Sequence, residues 1–156
     1  WSSDVCSSDL ILFGGGKKAM GSYIATTAIL KKNGLKEGAD YTAKFAKNPP
    51  GAVISVFHKA AEAAGTGNII LKVGGVTKKI DVTQMKILAE SEPFVHLPWA
   101  TKKGMDAGKA QKIADLMISM KKGDPILKSA KVTGFFATSD ADFAKVREIV
   151  DFALAK

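Results

Sequence analysis

Three consecutive glycines, Gly14, Gly15 and Gly16, stand between a short apolar run, Ile11 to Phe13, and a helical stretch opened by Gly21 and Ser22. Without a Cβ, glycine lets a backbone amide approach a ligand closely. A helix start adds unpaired N–H groups and the positive end of the peptide dipole. The pattern predicts an anion site. Gly15, Gly16 and Gly21 would lend amides, Ser22 a hydroxyl, Tyr23 a phenol, and Lys17 or Lys18 a charge-assisted hydrogen bond. Nucleotide fingerprints are not met: no G-K-[ST] follows at the Walker distance, and the glycines are not spaced G-x-G-x-x-G. The same residues also describe a plain strand-to-helix turn with a serine cap.

Catalytic constellations are poor. His58 and His96 are the two histidines, Cys6 is the one cysteine, and the carboxylates show no paired spacing for general acid and base. No catalytic residue, metal site or cofactor is expected, and the chain reads as a non-enzyme. His58 stands four residues before Glu62 on a polar helix face, as a solvated pair would. His96, within His96-Leu97-Pro98-Trp99, belongs to a crossing segment that can border a cleft.

The formal net charge is +8, from 23 basic and 15 acidic residues. Lysines are dispersed, mostly as pairs such as Lys31/Lys32 and Lys121/Lys122 at element ends. No aromatic residues alternate with them as a stacking platform would require, so a solvated basic surface is expected and nucleic acid is not. The 46% apolar content indicates a globular chain. Apolar runs such as Ile69 to Leu71 fall far short of the roughly 20 residues of a membrane helix.

The elements that must carry the glycine loop alternate. A strand at Ile11 to Phe13 leads through the glycines to a helix from about Ser22 to Lys32, closed by Asn33 and Gly34. Tyr41 to Ala46 alternates as a strand does. A second helix beginning near Gly51 carries Val53, Val56, Phe57, Ala60 and Ala64 on one face and ends at Gly65 and Gly67. Asn68 to Val73 is expected as a strand buried on both faces, and Met85 to Leu88 as another. Amphipathic helices follow over Asp106 to Met120 and Asp140 to Ala155, with Ser139 and Asp142 spaced as a capping box. Repeated strand-helix-strand units predict an α/β fold with a mostly parallel sheet, whose ligands bind at the C-terminal ends of the strands.

The first ten residues, WSSDVCSSDL, resemble translated sequencing-adapter DNA: the string TGGAGTTCAGACGTGTGCTCTTCCGATCT encodes all ten in one frame. Trp1 to Leu10 is therefore expected to be artefactual, with native sequence resuming at Ile11 and any signal peptide lying upstream. Cys6, Asp4 and Asp9 would go with it, leaving the rest cysteine-free.

The order FGGGKKAMGSY, a helix ending KKNGL, strand, helix, GTGNIIL, then ILAESEPFVHLPWATKKGM and helices resembles the phosphate/phosphite/phosphonate class of ABC-transporter substrate-binding proteins. The sharpest pieces are the glycine loop into a Gly/Ser/Tyr helix start, Ala63 to Gly65 closing the second helix, and Ala89 to Pro93. The resemblance implies a periplasmic-binding-protein-like (type II) fold: residues 11–95 as the second ligand-binding lobe, and residues 96–156 as the crossover and C-terminal helices that return to a missing first lobe. It implies a small anionic ligand, phosphate- or phosphonate-like or another oxyanion, an ABC permease as partner, and a periplasmic or lipid-anchored extracytoplasmic location. Family members commonly carry Ser-Thr-Ser before the Gly-Tyr of the helix start and Ser-His-Asp at the second helix. Here the former reads Ala19, Met20, Gly21 and Ser22, and the latter Pro49, Pro50 and Gly51. The alternatives are a ligand-sensing ectodomain of a signalling protein with the same fold and, more weakly, a transferase using the loop for a phosphorylated substrate.

Overall fold

The computed structural model describes residues 9–95, 98–130 and 132–155. It is a mixed α/β structure around a small, all-parallel sheet, as the alternating pattern predicts. Strands β1 (Leu10–Gly14), β2 (Thr42–Ala46) and β3 (Ala63–Gly65) lie in the order β2-β1-β3. Phe13 sits opposite Phe45 on one side and Gly65 on the other.

Each connection has a local cause. A π-helical turn, Met20–Ile24, continues into α1 (Ala25–Lys32). Lys31 and Lys32 oppose the dipole at its C-terminus, and Gly34, at φ +81°, reverses the chain. α2 (Pro49–Phe57) is capped by Asn48, whose side chain accepts from Gly51 N–H, and it carries proline where an amide hydrogen is not needed. It packs against all three strands.

Where helix was expected to run on to Ala64, the chain instead turns at Lys59, a non-glycine residue at φ +59°, and residues 63–65 form β3. Small residues suit that strand because it crowds the core: a Cβ built on Gly65 would lie 2.6 Å from the Phe13 ring and 2.7 Å from Thr26 Oγ1. The strand expected over Asn68 to Val73 is a 3₁₀ helix, Asn68–Lys72, followed by the short α3 (Gly74–Thr77). Ile69 is exposed, and Ile70, Leu71 and Val73 pack on Val53, Val76 and Ile80, so the apolar run covers a helix rather than filling a sheet. Met85 to Leu88 is not a strand either: Met85 joins the same cluster, while Ile87 and Leu88 face solvent.

The main core joins Ile11 and Phe13 to Tyr23, Ile24 and Leu30 of the helical segment, Tyr41, and Ala153 of α6 (Ala144–Leu154), with Ile149 and Val150 against it. Lys31 Nζ donates to the carbonyls of Phe152 (3.0 Å) and Ala155 (2.6 Å), tying α1 to the end of α6. The described residues up to Phe94 form one compact unit with those from Lys145 on.

The second unit is Val95–Ala144. It holds α4 (Ala107–Ser119), capped by Asp106, and α5 (Pro125–Ala130), with Leu127 buried and Trp99 edge-on to Phe135. The Ser139/Asp142 capping box is present at the 3₁₀ turn Asp140–Phe143 that leads into α6. Among the described residues no helix is long and apolar enough to cross a membrane. Most of the adapter-like segment, residues 1–8, lies outside the described residues. Leu10 opens β1, and the Asp9 carbonyl accepts from Thr42 N–H at 2.8 Å.

Candidate functional site

Because all three strands are parallel, their C-terminal ends share one edge. Gly14 leads there into the glycine loop, Ala46 into Lys47 and Asn48, and Gly65 into Thr66 and Gly67. With order β2-β1-β3, the chain leaves β1 toward one side and later returns to pair on the other. The topological switch, where open α/β sheets bind ligands, therefore lies between β1 and β3.

The loop requires its glycines at two points. Gly14 lies against α2, where an added Cβ would meet Pro49 Cα at 2.2 Å, and Gly15 has φ +96°. Gly15 N–H donates to the Ala46 carbonyl at 3.1 Å, and Ala19 N–H to the Gly16 carbonyl at 2.9 Å, so the loop is folded back on the sheet edge. The Met20 and Gly21 amides, first in the helical turn, have no backbone acceptor among the described residues. Lys17 and Lys18 are exposed directly before them.

The two expected hydroxyls are placed differently. Ser22 is buried, and its Oγ donates to the Gly14 carbonyl at 2.6 Å. Its proton therefore fastens the helix start to the end of β1. Tyr23 is buried edge-on to Phe13 at 5.1 Å, and its hydroxyl donates to Glu37 Oε2 at 2.8 Å. Burial, with the Glu37 hydrogen bond and charge behind it, pushes the Tyr23 pKa up to about 12. Burial and the same carboxylate also raise Tyr41. Of the predicted residues, then, Gly16, Lys17 and Lys18 are exposed, Gly15 and Gly21 are half-buried, and Ser22 and Tyr23 are buried with their hydroxyls engaged by Gly14 and Glu37.

Two residues at this edge escaped the sequence reading. Thr66 follows β3, and its Oγ1 is buried without a hydrogen-bond partner among the described residues. Asn68 Nδ2 donates to Glu90 Oε1 at 3.4 Å, bringing the Ala89 to Pro93 stretch to the end of β3. The signal lay in reading Ala63-Ala64-Gly65 as a strand, which places the residues after it at the ligand edge.

The histidines do not join this group. His58 is exposed at the C-terminus of α2 beside the Phe57 ring, and Glu62 accepts instead from Leu10 N–H at 2.7 Å. His96 lies outside the described residues. No group of three or more His, Cys, Asp or Glu that could hold a metal occurs among the described residues. A broad, open concavity of about 470 Å³ against Phe57 and Thr77 to Val82 involves none of the loop residues.

A family model described as ABC transporter, phosphonate, periplasmic substrate-binding protein matches residues 4–143.

Proposed function

This chain belongs to the phosphonate-type periplasmic substrate-binding proteins of ABC transporters, and from that premise we propose that it binds a small oxyanion at the glycine loop and delivers it to an ABC permease. The family is one of binding proteins rather than catalysts, and its members are periplasmic. In this reading the sheet-bearing unit is one lobe of a two-lobed receptor that closes on its ligand.

The observation that carries the reading is the pair of unpaired amides at Met20 and Gly21, set behind the open Gly15-Gly16 turn and beside Lys17 and Lys18. Such amides at a helix start favour negative charge without any specific side chain. Ser22 and Tyr23 contribute rigidity, since their protons are already engaged by Gly14 and Glu37. The ligand is thus a phosphate, a phosphonate or another small oxyanion gripped mainly by backbone.

Calorimetric titration of the chain with inorganic phosphate, methylphosphonate, sulfate and acetate tests the reading. At least one of these anions is expected to bind, and replacing both loop lysines (Lys17→Ala with Lys18→Ala) is expected to weaken binding by about three- to tenfold, in the range of exposed charge contributions. Failure of all four anions to bind overturns it.

A further inference from the structure

Two helical segments begin at the C-terminal edge of the sheet, and their first turns offer opposite things to an anion. The turn leading into α1 leaves the Met20 and Gly21 amides without a backbone acceptor. α2 starts against the same loop, since Gly14 is in register with Ala46 and its missing Cβ leaves room for Pro49. A helix of this length ordinarily presents its first amides to whatever lies beyond its end. Here Pro49 and Pro50 have no amide hydrogen. The next amide, Gly51 N–H, donates to Asn48 Oδ1 at 2.9 Å, and Ala52 N–H donates to the Asn48 carbonyl. The backbone of the first turn of α2 has no amide left to give.

We propose that Asn48, Pro49 and Pro50 are specificity-determining residues that close the α2 terminus to oxyanions, so that an anion at this edge is anchored from the Met20-Gly21 side alone. The inference rests on the oxyanion reading of that edge. It deepens the reading by specifying selectivity: an anion held from one side has no second set of backbone amides to reward tetrahedral geometry. The lobe therefore separates phosphate from sulfate or a carboxylate only weakly.

The test restores the missing donors. Pro49→Ala combined with Pro50→Ala returns two amide hydrogens while keeping the Pro49 Cα and Cβ that Gly14 meets, and alanine is compatible with a helix. Inorganic phosphate is titrated into the chain and into this variant, with circular dichroism confirming the fold. Should the variant fail to fold, Asn48→Gly frees the Gly51 amide at little cost to the cap and replaces it. The expected result is a gain of about tenfold in phosphate affinity, the scale of added amide and dipole contributions to an anion.

Unchanged affinity in a folded variant overturns the proposal and leaves the oxyanion reading standing. If the parent chain binds no phosphate and the variant does, the closure is upheld, and the glycine-loop reading is decided by methylphosphonate, sulfate and acetate. If neither binds, restored amides attract no phosphate at this edge and the proposal is overturned, while the glycine-loop reading stands or falls on the other three anions.

Discussion

At the scale of single residues, the loop is organised by protons that point inward. The Ser22 hydroxyl is given to the Gly14 carbonyl and the Tyr23 hydroxyl to Glu37, partners eight and fourteen residues away. The sequence allowed a reading of which residue types crowd the helix start. Their direction was illegible because it depends on where β1 ends and how residues 36–41 fold back. The chain has two tyrosines, Tyr23 and Tyr41, and both are raised above the ordinary phenol value, chiefly by burial. An ultraviolet titration of the folded protein should therefore show both phenols ionising above the ordinary value, with Tyr23 only toward about 12. Denatured protein should titrate near 10. Since the folded state holds these protons more tightly, their contribution to stability is complete below pH 10 and is lost as pH rises through the folded values. A folded-state step at 10 would show that the phenols are not buried as described.

At the scale of elements, long periodic patterns and local chemistry were readable, whereas short apolar runs were not. α4 and α6 follow from their apolar stripes, and the Ser139/Asp142 box was visible from spacing alone. Asn68 to Val73 has the composition of a buried strand, yet in the structure its apolar side chains serve a neighbouring helical cluster. Ala63 to Gly65 has no strand-like composition, yet it pairs with β1, and Gly65 sits where an added Cβ would clash with Phe13. Neither outcome is encoded locally. The capping box gives a separate pH signature. Asp142 accepts from the Ser139 amide, the Ser139 hydroxyl and Thr138, which hold its carboxyl below the ordinary value. A depressed folded pKa contributes stability above the unfolded value, near 4, and loses it as pH falls further. Thermal melts from pH 7 to pH 2.5 should show a smaller acid-induced drop for Asp142→Asn than for the parent. Equal drops would mean that the box does not hold in solution.

At the scale of the whole molecule, each unit carries apolar surface that its own residues do not cover. Within Val95–Ala144, Trp99, Leu116, Ile126 and Phe136 are each at least 60% exposed. Single exposed apolar residues are ordinary, but a set of this size on one small unit is not. The chain should bind a hydrophobic fluorescent dye in its folded state, and the combined change Leu116→Gln with Ile126→Gln should lower that signal without lowering the melting temperature appreciably. A dye-negative, monodisperse parent would contradict the exposed surface.

The bond from Lys31 to the end of α6 also has a consequence for the order in which the protein can be completed. The carbonyls it holds are 121 and 124 residues away along the chain, and Ile149, Val150 and Ala153 form a wall of the core that Ile11 and Phe13 open. A ribosome finishes the three strands and α1 before it begins the whole Val95–Ala144 unit, an interval of several seconds at roughly 5–20 residues per second. Throughout that interval the nascent core lacks one side. Slowing translation after Phe94 would lengthen that exposure and raise the demand for a chaperone to shield it.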